Sequence, residues 1–333
     1  MRHFLAIEDY SQTEIQAMLD LAKELKRYRY QDLLNKRSMV SMFFNPSTRT
    51  RTSMELAISQ LGGHHITLEP GKSSWGIEVN DGIVMLGDAE EHMREVAGVL
   101  SRYVDIIGIR CFPTFKDWSY DRQDPVIKSL ARHSSVPVVN LETISHPCQA
   151  LAMMQTIQEK TDTQKNKNFT LTWVYHPRGL NTAVANSAGV MASLMGMNIT
   201  IAHPPGYDLD ERYISYMKNQ CHSQGTRFRI THNMDEAMEG AHFVYAKSWG
   251  SLQQYGNFQA DIHQQYQYWI VNSARMKKTD NGYFSHCLPL RRNVKATDEV
   301  LDSPQSLVID EAENRLHVQK AVLVTLERER HHD

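Results

Sequence analysis

The sequence predicts an α/β protein with two doubly wound, mostly parallel sheets, each in its own domain. Short apolar segments alternate with longer amphipathic ones along the chain, the pattern of parallel sheets covered by helices on both faces. The chain has 333 residues, which suits two domains of roughly 150 residues each. A polar stretch, "TDTQKNKN" at 161–168, follows a helical pattern near the middle. We therefore expect a first domain over 1–145 and a second domain that begins at 146.

The first half begins with an amphipathic helix and continues with four strand patterns. Ser11 and Glu14 match a capping box at the start of the helix. Its apolar face recurs at helical spacing, in Ile15, Met18, Leu19, Ala22 and Leu25. Strands are predicted in "SMVSMFF", "HHITLEP", "VDIIGIR" and "VPVVN". Helices are predicted in "SMELAISQLG", "EEHMREVAGVLSRY" and "DPVIKSLARHS".

The second half repeats this alternation after the helix predicted in "HPCQALAMMQTIQEK". Its strands are predicted in "FTLTWVY", "NITIAHP", "RFRITHN", "HFVYAK" and "FSHCLP". Its helices are predicted in "NTAVANSAGVMASLMG" and "DERYISYMKNQCHS", and a last helix in "DEAENRLHVQKAVLVTLERER". The order of strands and helices indicates a second, mostly parallel sheet.

Composition excludes several classes of function. Lys and Arg total 36 against 38 for Asp and Glu, a formal net charge of -2, so no basic surface indicates nucleic acid or an anionic membrane. No apolar run reaches the ~18 residues of a membrane span. The 16 histidines show no metal-binding spacing, and the four widely spaced cysteines read as reduced thiols. With no signal-peptide pattern at the N-terminus, we expect a cytoplasmic protein without a metal or cofactor.

The segment "NPSTRTRT" at 45–52 lies where the first predicted strand meets a helix. A helix N-terminus offers unpaired backbone N–H groups and partial positive charge, which suit an anion. Here the hydroxyls of Ser47, Thr48 and Thr50 add donors, and Arg49 adds a planar guanidinium that suits phosphate. The alternative is a helix cap alone. The segment lacks the glycines and lysine of a Walker loop, so we predict a different kind of phosphate site.

Further candidates follow other predicted strands, where open α/β sheets bind ligands. Arg110 is either half of a surface ion pair or an anion ligand. His146, next to Pro147, either packs at a helix start or donates to a carbonyl oxygen. Cys287 is either a nucleophile or a small buried residue, and we interpret its segment as a source of backbone carbonyls. The other candidates at strand ends are Glu142, Gln149, Lys247, His286 and Leu288.

S-T-R-T-R, a strand-end arginine, H-P-x-Q and H-C-L-P, in that order, resemble the aspartate/ornithine transcarbamylase family. The resemblance implies two α/β domains, with the second over 146–310 and a C-terminal helix, 311–333, that packs back on the first. It implies homotrimers with shared active sites, and catalytic roles for Arg110, His146 and Thr50. It implies a carbamoyl-phosphate site formed by Ser47, Thr48, Arg49, Thr50, Trp75, Arg110, His146, Gln149, Cys287, Leu288 and Arg315.

Two segments distinguish this sequence from the ornithine-specific members of the family. Those members carry D-x-x-x-S-M-G and H-C-L-P-R, where this chain has "YAKSWG" and "HCLPLRR". With "EPGKSSWGIE" and "GDAEEH", the sequence is more similar to the members that carbamoylate N-acetyl-L-ornithine. They form N-acetyl-L-citrulline and phosphate in arginine biosynthesis. An acylated α-amine carries no charge, so an aspartate beside it would be buried without a partner.

The closer resemblance also assigns roles to residues that bind or select the amine substrate. It implies that Glu142, Lys247 and Leu288 bind the acylated ornithine, and that Trp75 reaches a neighbouring subunit's site. Glu90 would select the acyl group, although acidic residues are also common at helix starts. Lys295 matches a lysine that family members carry carboxylated; the alternative is an ordinary surface lysine.

Three other functions remain open from the sequence. The same chemistry could use N-succinylornithine or ornithine. The segment "FTLTWVYHPRGLNTAVANSAG" has the strand–loop–helix form of a nucleotide-dependent dehydrogenase but lacks G-x-G-x-x-G. A catalytically inactive binding subunit is the third, and the retained phosphate-site residues argue against it.

Overall fold

The computed structural model describes residues 1–330, so the last three residues of the predicted segment 311–333 lie outside the described part. The chain divides into two compact units. Unit 1 comprises Met1–Thr114, Ser119–Cys148 and the chain from Arg315 onward. Unit 2 comprises Phe115–Trp118 and Gln149–Asn314. The sequence did not indicate that Phe115–Trp118 belongs with the second unit.

Unit 1 contains a four-stranded parallel sheet in the order β2–β1–β5–β6. A separate pair of two-residue strands, β3 and β4, is also parallel. The strands are β1 (Ser38–Phe43), β2 (His64–Leu68), β3 (Ile77–Glu78), β4 (Glu91–His92), β5 (Ile106–Arg110) and β6 (Val138–Glu142). The helices up to β6 are α1 (Gln12–Arg27), α2 (Thr48–Ser59), α3 (Met93–Tyr103), α4 (Trp118–Asp121) and α5 (Pro125–His133).

The order of the strands in unit 1 fixes where a ligand site can form. The chain passes from β1 to β2 on one side of β1 and later returns to β5 on its other side. The connections after β1 and β5 therefore diverge and leave a crevice at the carboxyl ends of these strands. "NPSTRTRT" follows β1 and Arg110 ends β5, so both candidates lie at this crevice.

Unit 2 contains a five-stranded parallel sheet in the order β11–β10–β7–β8–β9. Its strands are β7 (Asn168–Trp173), β8 (Asn198–Ala202), β9 (Phe228–Thr231), β10 (Phe243–Lys247) and β11 (Tyr283–Ser285). The remaining helices are α6 (Pro147–Gln158), α7 (Ala183–Leu194), α8 (Glu211–Gln224), α9 (Met234–Met238), α10 (Ala260–Gln264), α11 (Ser273–Met276), α12 (Asp298–Leu301) and α13 (Val308–Arg330). The strand order reverses between β7 and β10, so Lys247, which ends β10, lies at the switch point of this sheet.

The α/β fold class with two parallel sheets is confirmed. The predicted capping box of α1 is also present: Ser11 Oγ accepts from the Glu14 N–H at 3.3 Å, and Glu14 Oε2 accepts from the Ser11 N–H at 2.8 Å. All five predicted apolar residues of this helix are buried. The final helix, α13, belongs to unit 1 from Arg315 onward.

Three predicted helix starts are wrong. The helix predicted in "SMELAISQLG", from Ser53, begins at Thr48. The helix predicted to begin at Glu90 begins at Met93, because His92 has extended backbone and its Nδ1 accepts from the Arg94 N–H at 3.1 Å. Glu91 lies in β4 and pairs with Ile77, so the first turn contains neither Glu90 nor Glu91. The final helix begins at Val308, earlier than predicted. No helix in residues 1–330 is long and apolar enough to cross a membrane.

Candidate active site

Ser47 caps helix α2 at the carboxyl end of β1. Its backbone is extended, and its Oγ accepts from the Thr50 N–H at 3.2 Å. The interpretation of Ser47 as a helix cap is therefore correct, and it is compatible with anion binding at the same helix N-terminus. The remaining N–H groups of the first turn have no partner within the helix, and the helix dipole favours an anion beside them. Thr48 is exposed and Arg49 half-buried next to these groups.

Thr50 connects the start of α2 to the last helix of the chain. Its side chain is buried, and its Oγ1 accepts a hydrogen bond from Arg315 Nη2 at 2.8 Å. Arg315 is also buried, within unit 1. The fold thus places a second guanidinium beside the segment that contains Arg49, which concentrates positive charge at one helix N-terminus.

Arg110 is buried and forms an ion pair with Glu142, so the alternative of an ion pair on the surface is wrong. The pair arises because the register of β5 and β6 shifts after Ile109, which sets Arg110 opposite Glu142. The guanidinium lies over the Phe112 ring, 4.6 Å from its centroid. A buried arginine requires such a carboxylate, because an uncompensated buried charge is costly.

His146 extends this ion pair to a third side chain. Its Nε2 lies 3.6 Å from Glu142 Oε2, and the imidazole is buried. The preceding loop is held by Asn140, whose Nδ2 donates to Thr143 Oγ1 at 3.0 Å and to Ser145 Oγ at 3.1 Å. Arg110, Glu142 and His146 therefore form one buried cluster at the carboxyl ends of β5 and β6.

Unit 2 contains a second polar cluster, formed by basic residues. Lys247 ends β10 and is buried; Lys295 is only 2% exposed. Burial, together with the nearby Lys247, lowers the pKa of Lys295 to about 7. Burial, with further contributions from Lys295, Arg291 and Lys247, lowers the pKa of His176 to about 4. The alternative of an ordinary surface lysine is therefore wrong, and the cluster suits an anionic ligand.

The hydrogen bonds of His286 agree with a neutral Lys295 side chain. His286 Nδ1 accepts from the Leu288 N–H at 2.9 Å, so a neutral imidazole carries its proton on Nε2. His286 Nε2 lies 3.3 Å from Lys295 Nζ. Only a neutral amine can accept from this N–H, so the geometry agrees with the lowered pKa.

Cys287 and Leu288 follow β11 in this second cluster. Cys287 is half-buried, and Leu288 has a positive φ of 49° and precedes a cis peptide bond to Pro289. The Leu288 N–H is held by His286, as described above. The backbone of these two residues is therefore fixed in position after β11.

Trp75 and Glu90 lie close together along the small β3–β4 pair of unit 1. Trp75 is 66% exposed and lies two residues before the start of β3, and exposed Glu90 directly precedes β4. The Glu91 N–H donates to the Gly76 carbonyl at 3.2 Å. The structure brings these two predicted residues to one end of the same exposed element.

One buried residue was missed from the sequence. Glu311, in the first turn of α13, accepts hydrogen bonds from Gln149 Nε2, from the Tyr245 hydroxyl and from Ser285 Oγ. All four residues belong to unit 2. In the sequence, Glu311 looks like any acidic residue in the first turn of a helix, as does its neighbour Asp310. No motif therefore indicates that Glu311 is buried.

No group of three or more His, Cys, Asp or Glu side chains within residues 1–330 could hold a metal ion. Most of the candidate side chains are hydroxyls, guanidinium groups, amines and imidazoles beside helix and strand ends. Such groups bind and polarise anions through hydrogen bonds and charge.

Unit 1 thus has a helix N-terminus that suits an anion, and unit 2 has a buried basic cluster that suits one, the features of enzymes that bind anionic substrates. The chain belongs to the aspartate/ornithine carbamoyltransferase family. The carbamoyl-P binding domain of that family matches residues 2–159, and its Asp/Orn binding domain matches residues 167–326. Family membership removes the dehydrogenase alternative.

Two relatives, whose names give different substrates, are similar to this protein over nearly its whole length. The N-acetylornithine carbamoyltransferase of Xanthomonas axonopodis pv. citri (strain 306) is 53% identical over 331 residues, covering 98% of this chain and 96% of the relative. The N-succinylornithine carbamoyltransferase of Bacteroides fragilis (strain 638R) is 36% identical over 318 residues, 95% of each chain. A crystal structure of acetylornithine transcarbamylase complexed with acetylcitrulline has a TM-score of 0.97 and 53% identity, covering 98% of this chain and 99% of that one.

Proposed function

We propose that this protein transfers the carbamoyl group of carbamoyl phosphate to the δ-amine of N-acetyl-L-ornithine. The products are N-acetyl-L-citrulline and phosphate, in arginine biosynthesis. The observation that carries the proposal is the buried basic cluster around Lys247, at the strand end where ornithine-specific members of the family carry an aspartate. A cation there suits the carboxylate of a substrate whose α-amine is acylated and uncharged. The 53% identity to a relative named N-acetylornithine carbamoyltransferase supports this choice.

In this proposal carbamoyl phosphate binds at the start of α2. Arg49 and the N–H groups of the first helical turn hold the phosphate, with Ser47 and Thr48. Thr50, Arg110 and His146 donate to the carbamoyl oxygen as negative charge develops on it, and removal of one such donor typically costs about 100- to 1000-fold in rate. The other residues assigned to this ligand are Trp75, Gln149, Cys287, Leu288 and Arg315.

The amine substrate is assigned to Glu142, Lys247 and the Leu288 carbonyl. Lys247 pairs with the carboxylate of the substrate, and Glu142 accepts from the δ-amine. The δ-amine attacks as the neutral form: its bond to the carbamoyl carbon forms, the bond from that carbon to the bridging oxygen breaks, and the proton that the nitrogen loses passes to the departing phosphate. The residues position and polarise the reactants, and no covalent intermediate with the protein is required.

Lys295 is proposed to carry a carboxylate on its side chain. Carboxylation requires a neutral amine that attacks CO₂, and a pKa of about 7 keeps much of Lys295 neutral at physiological pH. The N–C bond forms and the nitrogen loses a proton, which converts a buried amine into an anion. That anion would neutralise part of the positive charge contributed by Lys247 and the neighbouring basic groups, which supports the proposal.

The proposed assembly is a cytoplasmic homotrimer with active sites shared between subunits. Trp75 supports sharing, because a tryptophan that is mostly exposed beside the small β3–β4 pair suits an interface anchor. The four free cysteines agree with a reducing compartment.

The decisive experiment compares three amines with carbamoyl phosphate as donor. Purified protein is assayed for citrulline-type product with N-acetylornithine, N-succinylornithine and ornithine. We expect turnover with N-acetylornithine and little with the other two. A higher kcat/KM with N-succinylornithine or ornithine would replace the proposed substrate, and no product with any of the three would favour an inactive binding subunit.

A further inference from the structure

Trp173 contacts the segment around Lys247 at two points, both within unit 2. It is the last residue of β7 and lies opposite Lys247, the last residue of β10, in the register of these parallel strands. Two residues beyond the end of β10, the Trp249 carbonyl accepts a hydrogen bond from Trp173 Nε1 at 2.8 Å. The side chain of Trp173 therefore extends the connection between β7 and β10 past the point where the two strands end.

The segment 247–249 is held by further hydrogen bonds. The Lys247 carbonyl accepts from the Val174 N–H at 3.1 Å. Trp249 is fully buried, and its Nε1 donates to the Tyr207 carbonyl at 2.8 Å. Ser248, which lies between Lys247 and Trp249, is also fully buried. The backbone from which the Lys247 side chain extends is therefore fixed on both sides.

The aromatic rings around Trp173 hold its indole in one orientation. The centroid of the indole lies 5.1 Å from that of Tyr207, 5.3 Å from that of His263 and 6.1 Å from that of Trp269. Trp173 is fully buried, and close packing of this kind restricts a ring to one rotamer. A buried indole N–H usually requires an acceptor, and here the acceptor is the Trp249 carbonyl.

The Lys247 ammonium group needs an anionic ligand. Lys247 is buried, and no carboxylate within residues 1–330 forms an ion pair with it. A buried charge without a partner is costly, and the direction of this cation depends on the backbone at 247–249. We infer that Trp173 is a positioning residue, whose bond to the Trp249 carbonyl directs the Lys247 ammonium group towards the carboxylate of the amine substrate. This inference rests on the proposed function, which assigns that carboxylate to Lys247.

The inference predicts a change in substrate binding rather than in the chemical step. The substrate carboxylate takes no part in bond formation at the δ-nitrogen, and its charge is the same in the ground state and in the transition state. A contact to this carboxylate is therefore equally strong in both states. Weakening the contact should raise KM for the amine substrate and leave kcat unchanged.

Trp173→Phe tests the inference, because phenylalanine keeps an aromatic ring and removes the N–H donor. The buried Trp249 carbonyl would lose this donor, and the segment 247–249 would shift to satisfy it. We expect KM for N-acetylornithine to rise about tenfold, the effect of one weakened hydrogen bond to a charged group. The values of kcat and of KM for carbamoyl phosphate should stay the same, and steady-state kinetics measure all three.

Trp269→Phe is the matched control. Trp269 packs against Trp173 and is also buried, but its Nε1 has no acceptor within residues 1–330. The substitution therefore removes the same volume from the same aromatic cluster and removes no hydrogen bond. We expect it to lower the free energy of unfolding and to leave KM for N-acetylornithine unchanged.

Two unreactive analogues show whether the effect passes through the substrate carboxylate. N-acetyl-L-norvaline keeps the carboxylate and has hydrogen in place of the δ-amine. Its primary amide also replaces the carboxylate by a neutral group. In Trp173→Phe we expect the inhibition constant of the acid against N-acetylornithine to rise about tenfold, and that of the amide to stay at its wild-type value.

Three results would overturn the inference: an unchanged KM in Trp173→Phe, an equal loss of affinity for the acid and the amide, or the same increase in KM in Trp269→Phe. If Trp173→Phe does not fold, benzothiophene in place of the indole keeps the bicyclic ring, lacks the N–H and is subject to the same criteria. Failure of the proposed function gives a different result, since the wild type itself would then form no product from N-acetylornithine.

Discussion

Arg315 donates a hydrogen bond from Nη2 to Thr50 Oγ1 at 2.8 Å, although the two residues are 265 positions apart in the sequence. The bond connects α13 to the first turn of α2, where Ser47 is the cap. Both side chains are buried. The hydroxyl of Thr50 is therefore oriented by a guanidinium, and this orientation determines where its proton can point.

We predict that Arg315→Lys lowers kcat/KM for carbamoyl phosphate by about 100-fold, the effect of one misplaced donor in a polarising site. A lysine ammonium lacks the planar array of donors with which Arg315 holds the Thr50 hydroxyl. Arg328→Lys is the control, since Arg328 lies exposed in the last turn of the same helix. Steady-state kinetics measure both variants. Equal kcat/KM values in Arg315→Lys and the wild type would show that the bond has no catalytic consequence.

Arg49→Ala is expected to abolish detectable turnover and to leave the fold intact. Arg49 is half-buried beside the N–H groups of α2 rather than in the core, so its loss removes phosphate binding without opening a cavity. Circular dichroism checks the fold, and competition by inorganic phosphate checks the ligand site. Arg51→Ala is the matched control, because Arg51 is exposed and its ion pair with Glu69, at 3.4 Å, lies at the surface, where such pairs are typically worth little. Near-normal turnover in Arg49→Ala would refute the phosphate assignment.

The features that could be predicted from the sequence depend on short spacings. The capping box of Ser11 and Glu14 spans three residues, and Ser47 caps α2 through Thr50, again three residues away. Local hydrogen bonds of this kind are encoded by adjacent residue types. The strand patterns were also predictable, because buried parallel strands read as continuous apolar runs.

The features that could not be predicted depend on how distant segments align. Arg110 meets Glu142 only because the register of β5 and β6 shifts after Ile109, and a shift of register has no local signature. Glu311 lies in an ordinary helix start, and its partners are between 26 and 162 residues away. Burial of Lys295 likewise follows from packing, which charge and composition do not reveal.

Lys295 should weaken the folded state at neutral and acidic pH when CO₂ is absent. Burial lowers its pKa from 10.5 to about 7, so between these values the unfolded chain binds a proton that the folded chain does not. The contribution of Lys295 to the free energy of unfolding therefore rises with pH across that window. Its unfavourable effect on the folded state is largest below pH 7. Relative to the wild type, Lys295→Met should gain free energy of unfolding on the order of 4 kcal/mol at pH 6, and little at pH 10. Urea unfolding in CO₂-free buffer measures the difference, and a gain independent of pH would contradict it.

Carboxylation of Lys295 predicts a carbamate signal after incubation with ¹³C-bicarbonate. NMR spectroscopy should detect this signal in the wild type and lose it in Lys295→Met. Lys320→Met is the matched control: Lys320 is also buried, with a pKa lowered to about 8, but its Nζ donates to the Arg29 carbonyl at 2.6 Å. We expect the signal to persist in this control. A wild-type spectrum without it would argue against carboxylation.

Trp75→Ala and Arg49→Ala should complement each other if active sites are shared. Each variant alone is expected to be inactive. Mixed trimers would contain some sites with an intact Arg49 from one subunit and an intact Trp75 from another. Activity should therefore return when the two are unfolded together and refolded, and native mass spectrometry verifies mixing. Verified mixed trimers without activity would show that Trp75 does not serve a neighbouring site.

The last prediction concerns Glu90, which lies outside helix α3. Because that helix begins at Met93 and its cap is His92, Glu90 has no first-turn position in which the dipole would stabilise it, and its exposed carboxylate is available for another role. In the proposed role it lies beside the acyl group of the substrate. A neutral acetyl group tolerates that carboxylate, whereas a succinyl group adds a second one, and like charges repel in a partly desolvated site.

Glu90→Ser should therefore raise kcat/KM for N-succinylornithine relative to N-acetylornithine by about tenfold or more, since each 1.4 kcal/mol of relieved repulsion is a factor of ten. Glu91→Ser is the matched control, because Glu91 is the adjacent exposed carboxylate but lies in β4. It should leave the ratio of the two kcat/KM values unchanged. The free energy of unfolding should be nearly the same in both variants, because neither carboxylate caps a helix. If the ratio in Glu90→Ser stays at its wild-type value, acyl-group selection belongs to other residues.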